Sequence, residues 1–183
     1  ENSISAAPAL NTDGFTVGNW SNVNGSSYNY VAWNWDMGGS NATNTDGSIT
    51  STVRANPTYG QSIVSYTGNG SDGATVGHGL SSAPDMVIVK DRDGTPSWSV
   101  GHVGLGTNEV LLLNQTSAKA NCTTDFSGGG VGARGSSHFT LEAGTSNANN
   151  VNTNNEGFIA YCFHSVTGYS KFGGYTGNGS SSG

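Results

Sequence analysis

Gly157–Phe163 reads GFIAYCF. The run is apolar and aromatic, holds no Pro and no charge, and reads as a β-strand. It has a counterpart at Tyr30–Trp35, YVAWNW. The segments leading into the two also match. An Asn-rich loop precedes each, SNVNGSSYN before the first and TSNANNVNTNNEG before the second. A short Phe-Thr segment precedes each loop, DGFTV at Asp13–Val17 and SHFTL at Ser137–Leu141. A third duplicated element, YTGNGS, stands at Tyr66–Ser71 and again at Tyr175–Ser180.

Internal repetition sets the organisation of a chain before any other signal. The order of the copies predicts four segments. Residues 1–37 carry the C-terminal strands of a preceding repeat unit, and 38–60 form a connector. Residues 61–173 form one complete β-sandwich module, and 174–183 are the start of a next unit or a linker. A partial unit has an apolar face that needs partner strands. Either it packs on the complete unit or partner chains complete it.

Other strand signals surround the opening stretch. They are SIVSYT at Ser62–Thr67, MVIVK at Met86–Lys90, WSVGHV at Trp98–Val103, EVLLL at Glu109–Leu113, and the YNYVAWNW run at Tyr28–Trp35. The clusters GNGSDG, DRDGTP, SGGGVG and SNANN read as the turns between them. Helical periodicity is nearly absent. The expected fold is all-β, an antiparallel β-sandwich of jelly-roll, lectin-like type with little or no helix.

Charged residues make up 10% of the 183, against roughly 25% in an ordinary soluble domain. The formal net charge is −6, with six Lys and Arg. A nucleic-acid footprint requires a basic stripe, so no nucleic-acid partner is expected. No apolar run approaches the roughly 18 residues of a membrane span, and no membrane partner is expected. Enzyme motifs are missing too, with no G-x-S-x-G elbow and no phosphate-binding loop. The chain is therefore read as non-enzymatic.

The ordered motifs NTDGSITSTVRAN, SIVSYTGNGSDGATVGHGLSSAPDMVIVKDRD, the Trp98–Gly106 segment and GFIAYCFHSVTGYSKFGGYTGNG run through most of the chain. Together they resemble a repeated module of large structural proteins of tailed, often marine, bacteriophages. That module is regarded as similar to concanavalin-A and laminin-G sandwiches. The resemblance implies a virion surface component, such as a tail fibre, spike or capsid decoration, working as an oligomer outside the cell. Its implied partners are other copies of itself, other virion proteins and host-surface polysaccharide. The alternatives are a glycan-hydrolysing tailspike domain and a secreted cellular lectin or adhesion-filament subunit.

Three groups of residues are candidates for chemistry. Asp91 and Asp93, in DRDG, stand where closely spaced carboxylates ligate calcium, or where an Asp-Gly turn joins two strands. No other cofactor is expected. Trp98 and His102 share one face of an extended strand. With Asp91 or Asp93 they form a candidate glycan site, the ring stacking on a pyranose and the polar groups binding its hydroxyls. The other reading buries Trp98 in the core. Cys122 and Cys162 are two buried thiols or one disulfide, and the former reading is preferred.

Overall fold

Gly157–Phe163 is a strand, and it hydrogen-bonds along both edges. Antiparallel partners flank it over its full length, Gln61–Thr67 on one side and Met86–Asp91 on the other. The rest of the larger unit is built outward from this triplet. The computed structural model describes residues 9–124, 128–142 and 151–181. They divide into two units, Glu1–Trp35 and Asp36–Gly183.

In chain order the strands of the first unit are β1 (Ala9–Leu10) and β2 (Phe15–Thr16), which pair as a small hairpin. A single turn of helix follows, α1 (Ser21–Asn24). The second unit contains β3 (Ala42–Asn44), β4 (Ser51–Asn56), β5 (Gln61–Thr67), β6 (Ala74–Gly77) and β7 (Met86–Asp91). It continues with β8 (Ser99–His102), β9 (Glu109–Leu112), β10 (Ala120–Asn121), β11 (Gly130–Arg134), β12 (His138–Glu142) and β13 (Gly157–Phe163). Eight strands form one sheet in the order β10-β9-β8-β7-β13-β5-β4-β3, and three form another in the order β11-β12-β6. All the strand pairs are antiparallel. The fold is all-β and sandwich-like, with very little helix.

The core lies between the two sheets. Val64, Tyr66, Val87, Val89, Phe158, Ala160 and Cys162 of the large sheet meet Val76, Val131, Phe139 and Leu141 of the small one. Alternation along β13 explains this: Phe158, Ala160 and Cys162 point inward, while Ile159 and Tyr161 point to the other face and are half-buried. Tyr66 stacks on Phe158 at 5.3 Å and meets Phe139 edge-on at 6.4 Å. Its hydroxyl donates to the Val151 carbonyl at 2.7 Å, which satisfies a buried polar tip. Burial raises its pKa well above the usual value, so the phenol stays neutral.

Three expectations need correction. The segment 38–60 is not a connector: β3 and β4 extend the large sheet, and Ser51–Asn56 pairs with β5 in full register. The alternation in STVRAN buries Ser51 and Val53 and exposes Thr52 and Arg54, a half-buried strand that Asn-rich surroundings disguised. SGGGVG is not simply a turn, because Gly130–Arg134 is strand β11. Gly132 lies within this strand, beside the Glu142 side chain, and not in a chain reversal. Ser127 of that cluster, the SNANN cluster and residues 1–8 lie outside the described residues. Tyr28–Trp35 forms no strand. In its own unit β1 and β2 pair only with each other, so the segment has no ladder to join. Val31 and Trp33 are 82% and 76% exposed, whereas their sequence counterparts in β13, Ile159 and Tyr161, are half-buried.

Lys171–Thr176 likewise joins no sheet. The Phe172 amide donates to Ser165 Oγ, and its ring packs on Phe163 at 5.7 Å.

Phe158 is the test of this core. Phe158→Ala is expected to cost about 3–5 kcal/mol, the usual range for a fully buried ring. Leu113→Ala, at a 60% exposed position, is expected to cost under about 0.5 kcal/mol. Denaturant unfolding of the two variants reads both values.

Candidate functional site

The residues expected to act together are held apart. Asp91 ends β7 on the inward side, paired with Phe158, and is 1% exposed. Its Oδ1 accepts the Asp93 and Gly94 amides at 2.8 and 2.9 Å. That is a carboxylate capping its own turn. Lys90 Nζ also donates to the Gly94 carbonyl, at 3.1 Å, and ties the turn from the other side. Asp93 is turned toward β13, where its Oδ2 accepts the Gly157 amide at 2.6 Å. Among the described residues no group of three or more His, Cys, Asp or Glu side chains is placed to hold a metal ion.

Trp98 is half-buried and lies over Tyr161 of β13, ring centroids 6.4 Å apart and 21° from parallel. It covers the outward face of the large sheet. His102 closes the far end of β8, opposite Met86, and its Nδ1 accepts the Gly104 amide at 3.0 Å. Asp91 points to the core face and Trp98 to the other, so the sheet itself separates them. Trp98, His102, Asp91 and Asp93 therefore do not converge on one ligand.

Cys122 and Cys162 are free and buried. Burial pushes the Cys162 thiol up to about 12 and the Cys122 thiol up to about 11. Neither is a thiolate at neutral pH, which leaves both as packing groups.

The turn at Asp91 does contain a group that the sequence did not single out. Asp91 Oδ2 is buried, and among the described residues no donor stands within full hydrogen-bond geometry of it. Glu156, two residues before Phe158, has its pKa raised, first by hydrogen bonding to Asp91, then by burial and by the Asp91 charge. Glu156 is the side chain that reaches the Asp91 carboxyl. The contact links the DRDG turn to the start of β13.

A second feature was also missed. The register Phe163↔Gln61 sets the Pro57–Gly60 turn beside the loop that follows β13. The His164 amide donates to the Gly60 carbonyl at 2.8 Å. Gly60 has φ +65°, and a Cβ there would lie 2.7 Å from Val166 and 3.0 Å from His164 Cε1, so only glycine lets the two loops close. The closure stacks Tyr59 on Tyr169, centroids 4.9 Å apart, with 37% and 58% of each residue exposed. Below Tyr169 lies an open depression of about 560 Å³ lined by residues of the Ser165–Lys171 loop. The loop is anchored at its base: Ser165 donates from both its amide and its hydroxyl to Asp85 Oδ2, at 2.7 and 2.6 Å. In the same loop region, His164 Nε2 and Ser170 Oγ are buried and have no hydrogen-bond partner among the described residues. The available signal was a Tyr beside Gly in each turn, NPTYG and TGYSK.

The Asp91–Glu156 contact sets a pH dependence. A carboxyl whose pKa is raised in the folded state contributes stability that is complete below its unfolded value near 4.5. That contribution is lost as pH rises through the folded value. Glu156→Gln keeps a hydrogen-bond donor and cannot ionise. It is expected to melt at a higher temperature than the parent at pH 7 and at the same temperature at pH 4. An equal offset at both pH values would mean that Glu156 does not share a proton with Asp91.

No curated protein and no solved structure matches the chain. A family model described as a domain of unknown function, DUF7483, matches residues 1–183, and the chain belongs to that family.

Proposed function

We propose that this chain is a non-enzymatic structural module of a tailed-phage virion surface protein, a fibre, spike or capsid decoration that assembles with further copies of the same module and contacts host-surface glycans. The observation that carries the assembly reading is the unequal fate of the two YTGNGS motifs. In the first, Asn69 and Asn152 lock together: the Asn69 amide donates to Asn152 Oδ1 at 2.9 Å, and Asn152 Nδ2 donates to Asn69 Oδ1 at 3.0 Å. Tyr66 is buried beside them. The second motif forms the same turn. Asn178 Oδ1 accepts the Ser180 amide at 2.9 Å, as Asn69 Oδ1 accepts that of Ser71, and Gly179 has φ +72° against +70° for Gly70. Its tyrosine, Tyr175, is 97% exposed. A preformed turn with its anchor side chain outside suits insertion into a neighbouring module.

The same logic covers Tyr28–Trp35, a central-strand sequence outside any sheet. The low charge supports a particle role as well. Among the described residues one ion pair stands, Lys119–Glu109, so assembly through neutral contacts is little weakened by salt. A hydrolase needs two accessible carboxyls across a scissile bond. Asp91 is buried against Glu156 and does not suit that task.

Two measurements test the reading. Mass spectrometry of gradient-purified particles is expected to find the chain among the virion proteins, and its absence there would refute the location. Light scattering across a concentration series is expected to show self-association that Tyr175→Ala reduces, with the melting temperature unchanged.

A further inference from the structure

The stacked tyrosines and the loop beside them carry an inference about the ligand. It rests on the glycan part of the proposed function and goes beyond it in naming a site. We infer that the Tyr59–Tyr169 clasp and the depression formed by the Ser165–Lys171 loop are a saccharide-binding site.

The platform comes first. Tyr59 covers one face of the Tyr169 ring at 4.9 Å, and Tyr169 remains 58% exposed. An aromatic ring supported from behind and open in front offers a flat apolar surface at small entropic cost. The C–H face of a pyranose fits such a surface.

The polar atoms then select the ligand. The depression is lined by Ser165, Val166, Thr167, Gly168, Tyr169, Ser170 and Lys171. Thr167 lines the depression and is exposed, and its hydroxyl both donates and accepts. Lys171 lines the depression and donates only. The complementary ligand presents donors and acceptors together on one small frame. Hydroxyl groups do so, and a ring bearing several of them beside an apolar face is a sugar.

The site is also built before any ligand arrives. Asp85 fixes the base of the loop through Ser165, and Gly60 fixes its distance from the facing turn. Neither Trp98 nor His102 takes part.

Saturation-transfer NMR with a panel of defined neutral, amino and acidic oligosaccharides, together with a glycan array, tests the assignment. The parent chain is expected to bind a subset, with transfer strongest to the C–H protons of one ring face. Tyr169→Phe keeps the platform and is expected to bind as the parent does. Tyr169→Ala is expected to weaken binding by about tenfold or more, in line with loss of one stacking contact. Circular dichroism checks that both variants keep the fold, as their exposed position implies. Binding by the parent that Tyr169→Ala leaves unchanged would overturn the site, and so would a parent chain that binds no sugar of the panel. The particle location is measured separately, so failure of the site and failure of the virion reading are distinguishable.

Discussion

Everything in the second unit depends on one strand being used four ways. β13 hydrogen-bonds to β5 and β7 along its two edges, presents Phe158, Ala160 and Cys162 to the core, and has Tyr161 covered by Trp98 on the other side. Its inward row is fully buried, so polar substitution there leaves an unmet group, while outward Ile159 and Tyr161 are half-buried. Its ends carry the rest: the start meets Asp93 and the Glu156–Asp91 pair, and the finish sets the loop that holds Tyr169. A one-residue slip against β5 would turn Phe158 outward and part Tyr59 from Tyr169 together.

Composition and alternation made the sheets legible. GFIAYCF, MVIVK, SIVSYT, WSVGHV and EVLLL all contain or form strands, since continuous or alternating apolar residues have few other uses in so Gly-rich a chain. STVRAN was hidden because two of its inward residues are Ser51 and Ala55, small groups that a pattern reader counts as loop. Tyr28–Trp35 misled for the opposite reason. It has strand propensity in full, and propensity does not supply a hydrogen-bonding neighbour.

The site was less legible than the fold. Sequence spacing relates Trp98 to His102, but it says nothing of which layer either belongs to. Asp91 looked like a ligand because it is acidic and follows a strand, yet its carboxylate faces inward and caps its own turn. The Tyr59–Tyr169 contact joins residues 110 positions apart and depends on a cross-strand register, Phe163↔Gln61, that no local pattern reveals. Glu156 had a similar fate: its partner is decided by the β13–β7 pairing and not by its neighbours in the chain.

The large sheet ends in two very short strands, β3 with three residues and β10 with two. Such stubs give an incoming strand almost no backbone ladder to extend, which guards a wide sheet against sideways polymerisation. Modules of this kind are thereby kept from fusing into continuous cross-β ribbons at high local concentration. Copies of the chain can thus be crowded together and still remain discrete molecules.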